Sequence, residues 1–165
     1  MRVLVLTLLF LMFLPGITTP AKEPTLEERM TELVKSHKIM TDRLIQMWEF
    51  RQSEINLLAE VIYWENWHTD KDKRAAYLTG AVVMNRVNSD DWPNTVEKTL
   101  YQRGQYSTTK YFYTKELPAE VYDMARDIYK NGTPDVPAGV VFQSMNPRLG
   151  RKIYESINGE YFAFG

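Results

Sequence analysis

The stretch Ile55-Asn56-Leu57-Leu58-Ala59-Glu60-Val61-Ile62-Tyr63-Trp64-Glu65 decides how this chain folds. Ile55, Leu58 and Ile62 recur at spacings of three and four, the repeat of one face of an α-helix, and mark a buried stripe. One more step of three reaches Glu65, so a carboxyl continues an apolar face at the end of the helix, beside Tyr63, Trp64 and Trp67. Partial burial disfavours a charged carboxylate and raises its pKa. A raised pKa lets the group donate a proton near neutral pH. Glu60, two residues from Leu58, falls on the far side of the helix and is expected in solvent. Periodicity leaves two roles open for Glu65: a general acid, or a structural carboxyl satisfied by a backbone N–H or by an arginine such as Arg86.

Working outward, this helix is expected over residues 53–66, and another from Asp70 or Asp72 to about Asn88. Residues 88–94, dense in turn formers, read as a loop. Residues 95–101 read as a short helix or strand, and residues 102–115, rich in Tyr, Thr and Phe, as loop with β structure. Pro118 opens a helix over 119–130 that Asn131, Gly132 and Pro134 stop. Val140-Val141-Phe142 reads as a strand, residues 146–150 as a turn, and residues 157–162, centred on Asn158-Gly159, as a hairpin. Towards the N-terminus, Leu26, Met30, Leu33, His37, Met40, Leu44 and Met47 alternate spacings of four and three, the a/d seam of a heptad helix. Two readings stand: an amphipathic helix lying on its own domain, or a coiled coil that makes a homodimer through residues 26–47 or spaces the domain from a membrane. Thr25 and Glu28 form a capping-box pattern at its start. Arg2, the apolar run 3–14 and the break at Pro15-Gly16 read as a secretory signal over residues 1–21. Its apolar run reaches about 18 Å as helix, short of a bilayer core of roughly 30 Å, so cleavage is expected and a membrane tether follows only if it stays uncleaved. The organisation expected is a signal (1–21), a long amphipathic heptad helix (22–52) and a catalytic domain (53–165).

Composition narrows the chemistry. Of 165 residues, 20 are Lys or Arg and 21 Asp or Glu, so the basic excess of a nucleic-acid binder is missing. Without Cys, thiolate nucleophiles, disulfides and thiolate zinc sites are excluded. With two His, a zinc site would draw most ligands from carboxylates, an uncommon set, and neither metal nor cofactor is expected. Ten Tyr and four Trp supply rings with an apolar face and a polar tip, suited to sugars as well as to cores.

The residues also match a known family. Leu57-Leu58-Ala59 with Tyr63 and Glu65 resembles the "LLA-x-x-x-Y-x-E" segment of the SleB-type cell wall hydrolases, or spore cortex-lytic enzymes. The likeness continues through Gly80-Ala81-Val82-Val83-Met84-Asn85-Arg86-Val87, Trp92-Pro93-Asn94-Thr95-Val96 and Tyr101-Gln102-Arg103-Gly104-Gln105-Tyr106-Ser107, in the family's order and spacing, over residues 54–165. The resemblance implies an α+β, mostly helical fold: a small domain similar to lysozyme and lytic transglycosylases, with a short β sheet, preceded here by the long N-terminal helix. It implies cleavage of peptidoglycan glycan strands between N-acetylmuramic acid and N-acetylglucosamine, with Glu65 as the catalytic residue. A lytic transglycosylase needs one protein carboxyl; a standard glycosidase would need a second about 5–9 Å across the cleft, and nothing in the context of Asp90, Asp91, Glu97 or Glu116 marks one of them.

Gln105-Tyr106-Ser107 matches the family's "Q-[FY]-S" loop, whose amide and hydroxyl can bond sugar substituents while the ring stacks. Tyr63 and Trp67 are further candidates to line the groove. Asn85 is expected to brace the scaffold. The chain departs from the pattern at Trp64-Glu65-Asn66-Trp67-His68, where the family carries small residues, and at Glu160, which stands near the place of a terminal His. These departures support an alternative: a non-catalytic wall-binding or wall-assembly protein that keeps the groove. Either way the protein is expected outside the cytoplasm, secreted, periplasmic or wall-associated.

Overall fold

A computed structural model describes residues 23–147 and 152–165; the expected signal segment and most of the expected turn at 146–150 lie outside them. The described residues divide into two compact units, one up to Arg43 and one from Leu44 on. One helix, α1 (Leu26–Ile62), replaces the two expected before and after residue 53. No glycine or proline interrupts residues 26–62, so nothing breaks the backbone bonding between the heptad stretch and the buried stripe. The capping box forms at its start: the Thr25 N–H donates to the Glu28 carboxylate at 2.6 Å, and the Glu28 N–H to Thr25 Oγ1 at 3.2 Å. Residues 23–51 are exposed throughout, and Leu26, Met30, Leu33, Met40, Leu44 and Met47 present the heptad seam to solvent.

In the second unit α1 passes into a π turn (Tyr63–Trp67), then the short helix α2 (His68–Asp70) and α3 (Lys73–Val87). Asp72 caps α3, its carboxylate accepting from the N–H groups of Arg74 and Ala75. α4 (Val96–Leu100) settles the stretch 95–101 as helix. Thr95 caps it, and the buried Glu54 of α1 also accepts from its Val96 and Glu97 N–H groups, at 2.7 and 3.1 Å. Residues 102–115 hold turns and a 3-10 turn (Ser107–Tyr111) in place of the expected β structure. α5 (Ala119–Asn131) ends at Gly132.

The sheet is small and antiparallel, with β3 (Glu160–Phe164) between β1 (Val140–Ser144) and β2 (Lys152–Ile157). Asn158 and Gly159 both take positive φ in the turn joining β2 to β3, which two-residue hairpins need to match strand twist. α3 is the central element, in contact with β1, the π turn, α4 and α5. Leu58, Ile62, Val83, Leu100, Val121 and Ile128 pack on one side of it, and Leu78, Val82, Val140 and Phe162 on the other. Gly80 sits where α3 comes closest to its neighbours: a Cβ there would lie 2.6 Å from Ile128 and 3.0 Å from Ile62. Asn85 braces the sheet, donating to the carbonyls of Pro137 and Val140.

Candidate active site

Glu65 stands in the middle of the π turn. A π turn holds an extra residue per turn and re-aims the side chains it carries, and such turns concentrate at functional positions. The Glu65 carboxyl is half-buried and accepts a short hydrogen bond from the Thr108 hydroxyl of the 3-10 turn. Burial holds its proton above the ordinary carboxylate range; the Thr108 hydrogen bond and the nearby His68 charge pull back against that. Among the described residues no Lys or Arg forms an ion pair with it.

Arg86 is engaged elsewhere. Its Nε donates to the Val141 carbonyl at 2.7 Å, its Nη1 reaches the Tyr106 hydroxyl at 3.4 Å, and its guanidinium lies 4.4 Å from the centre of the Trp92 ring. A structural Glu65–Arg86 pair is therefore not what holds Glu65.

Glu60 corrects the sequence reading. It is 1% exposed, not in solvent. Its carboxylate accepts from Trp64 Nε1 and from the Tyr113 N–H, both at 3.0 Å. It thereby ties the segment carrying Thr108 to the helix carrying Glu65. Burial raises its pKa, and these two hydrogen bonds offset part of that rise. Trp64, over Glu60, meets Tyr111 with ring centres 5.2 Å apart.

A second carboxyl approaches from the sheet. Glu160, at the start of β3, is 9% exposed. It accepts from Gln143 Nε2 of β1 at 2.7 Å. Asn66, the residue after Glu65, donates through Nδ2 to Thr79 Oγ1 of α3 at 2.5 Å. Burial raises the Glu160 pKa, and the charges of Glu65 and Asp70 add to the rise.

The expected sugar-facing rings are placed otherwise. Tyr63, Trp67 and Tyr106 are buried in the hydrophobic core, where a ring surrounded by protein offers no face to a ligand. Burial pushes the Tyr106 phenol up to about 12. Gln105 and Ser107 flank Tyr106 and are exposed on the segment that leads to Thr108. Thr108, Asn66 and Glu160 are the groups around Glu65 that periodicity did not find. Thr108 follows Gln105-Tyr106-Ser107 directly, and Glu160 was visible only as a departure in the tail.

The candidate site is thus a half-buried carboxyl on a π turn, in a mostly helical domain that also holds a short antiparallel sheet. The Cell Wall Hydrolase family matches residues 70–160, more than half of the chain, and the chain belongs to that family. Membership marks a hydrolase that acts on cell wall peptidoglycan. The matched stretch includes Tyr106, Thr108 and Glu160, while Glu65 lies just before it. No curated protein and no solved structure matches the chain.

Proposed function

We propose that the protein is an exported lytic transglycosylase that cleaves the bond between N-acetylmuramic acid and N-acetylglucosamine, with Glu65 as the single catalytic acid and base. The supporting observation is the Glu65 carboxyl: half-buried, oriented by Thr108, raised in pKa by desolvation and without an ion-pair partner among the described residues. In this mechanism Glu65 gives its proton to the glycosidic oxygen as the C1–O bond breaks. The resulting carboxylate takes the proton of the muramic acid C6 hydroxyl, whose oxygen closes on C1. The products are a strand ending in a 1,6-anhydro sugar and a strand with a new free hydroxyl, and Glu65 is protonated again. Gln105 and Ser107, exposed beside Thr108, are assigned to hydrogen bonds with N-acetyl and hydroxyl groups of the glycan.

Export rests on the sequence of residues 1–21; among the described residues no helix is long and apolar enough to cross a membrane. The exposed heptad seam supports a homodimer through residues 26–47.

A non-catalytic wall-binding protein is the competing reading, favoured by the burial of Tyr63, Trp67 and Tyr106. Zymography on murein separates the two. Glu65→Gln keeps the shape and hydrogen bonding of the side chain but cannot donate the proton. Clearing is expected to fall by about 10²–10⁴-fold, and equal clearing by both proteins excludes Glu65 as the acid. Mass spectrometry of the released muropeptides then tests ring closure: products lacking the anhydro sugar mean hydrolysis.

A further inference from the structure

The segment that reaches Glu65 through Thr108 carries an unbalanced charge. Residues 98–115 include Lys98, Arg103, Lys110 and Lys115 and no Asp or Glu. Residues three apart in a 3-10 turn share a face. Thr108 therefore meets Glu65 while Tyr111 meets Trp64, the residue before it, with ring centres 5.2 Å apart. Lys110 Nζ lies 4.9 Å from the centre of the Tyr111 ring. Lys115 Nζ lies 5.2 Å from the centre of the Trp64 ring and 4.9 Å from that of Tyr63. Between the two lysines Tyr113 takes a φ of 59°, a left-handed conformation that a bulky residue adopts only where its surroundings impose it. The buried Glu60 carboxylate holds this bend by accepting from the Tyr113 N–H at 3.0 Å, and the chain returns Lys115 to the π turn. Arg74 and Arg126 are matched by carboxylates, whereas the exposed Lys110 and Lys115 have no ion-pair partner among the described residues.

We propose that Lys110 and Lys115, seated on the Trp64–Tyr111 ring pair, form a subsite for the carboxylates of the stem peptides that murein glycan carries. This rests on the assignment of Glu65 as the acid, which makes the face beside Thr108 the one where the glycan lies. The sugars of peptide-bearing murein are uncharged, and hydrogen-bonding groups such as those of Gln105 and Ser107 suffice for their N-acetyl and hydroxyl substituents. The carboxylates of the substrate sit on its stem peptides, and cations without partners are the complement to them. An ammonium group resting on a ring face keeps donors free for a carboxylate, and the contact limits the side-chain freedom lost on binding. Exposed pairs of this kind contribute modestly, and they act on affinity rather than on the chemical step.

The test measures affinity for soluble, uncross-linked murein strands, either native or with their free carboxyls converted to carboxamides. Binding is followed in the full chain carrying Glu65→Gln, so that the strands stay whole. Amidation is expected to weaken binding by about threefold to tenfold. Adding Lys110→Gln with Lys115→Gln is expected to weaken binding of native strands by a similar factor and to remove most of the effect of amidation, a cycle that isolates the pairing. Lys110→Arg with Lys115→Arg keeps the charge and is expected to keep both the affinity and its dependence on amidation. Amidation that costs nothing, or that costs the double Gln variant as much as its parent, overturns the proposal. Should the double variant fail to fold, Lys110→Gln alone decides, and amidation must then cost it less than its parent. The reaction fails separately: strands bound through their carboxyls but left whole by the wild type keep the subsite and sink only the assigned chemistry, whereas native and amidated strands bound equally and both cut sink the subsite alone.

Discussion

At Glu65 the neighbours pull in opposite directions, and this fixes the sign of a substitution. Thr108 donates a hydrogen bond to the carboxylate and so favours the charged form. Thr108→Val removes that donor at nearly constant volume. Glu65 then keeps its proton to higher pH, and the alkaline limb of the activity profile is expected to move up. Turnover is expected to fall about tenfold as the carboxyl loses its fixed orientation, a loss of about 1.4 kcal/mol in the barrier. A limb that stays put in Thr108→Val would mean the hydrogen bond does not form in solution. Glu65 itself was legible because an apolar stripe at spacings of three and four ran into a carboxyl. Glu60 was not. That reasoning assumes one wet face on the helix, yet residues 57–63 are nearly all buried, with Trp64 and Tyr113 closing over the side where solvent was expected.

Among the elements, those with local punctuation could be read in advance. Asp72 opens α3, Gly132 closes α5, and Asn158-Gly159 fixes the hairpin, each through a residue whose backbone or side-chain chemistry acts on its immediate neighbours. The π turn had no such mark, since an extra residue in a helical turn is stabilised by what packs on it. Nor had residues 102–115, where Thr, Tyr and Phe suggested strands. That segment is held by hydrogen bonds to Glu60 of α1 and, through Thr108, to Glu65 of the π turn, and among the described residues it pairs with no strand. Gly80 tests the packing that brings these pieces together. Gly80→Ala would place a Cβ 2.6 Å from Ile128 and 3.0 Å from Ile62, a contact relieved only by moving buried side chains of α1 and α5. The gain in helix propensity, about 1 kcal/mol, is smaller than an overpacking cost of about 1–3 kcal/mol. Net destabilisation of up to about 2 kcal/mol is expected in urea unfolding. A stabilised variant would show that the core has room the structure denies.

For the whole molecule, the heptad seam and the buried carboxyls each make a claim about solution behaviour. The seam leaves Leu33 and Leu44 more than half exposed, and water is a poor solvent for so many aligned apolar side chains. A dimer through residues 26–47 is expected to sediment at twice the monomer mass, and Leu33→Glu with Leu44→Glu to return it to monomer; a wild type that sediments as monomer at high concentration removes the dimer. Stability should also depend on pH in an unusual direction. Glu60, Glu65 and Glu160 all have raised pKa values, with desolvation the leading cause in each. Well below the ordinary carboxylate range, all three are protonated in the folded and unfolded chain, and their burial is least costly. As pH rises past about 4.3, the unfolded chain releases these protons first. The folded state still holds them, so stability falls with each further increment until the folded groups have titrated. Asp135 runs the other way. Its pKa is lowered by hydrogen bonds from Tyr77 and then Arg74, so its contribution is present at neutral pH and lost in acid. It is exposed and therefore weak beside three desolvated carboxyls. The melting temperature is accordingly expected to fall by several degrees between pH 5 and pH 7, and Glu160→Gln to flatten that decline by removing one of the three groups. A melting temperature that rises over this interval would mean that the carboxyls are solvated in the folded protein, and the acid assigned to Glu65 would lose its physical basis.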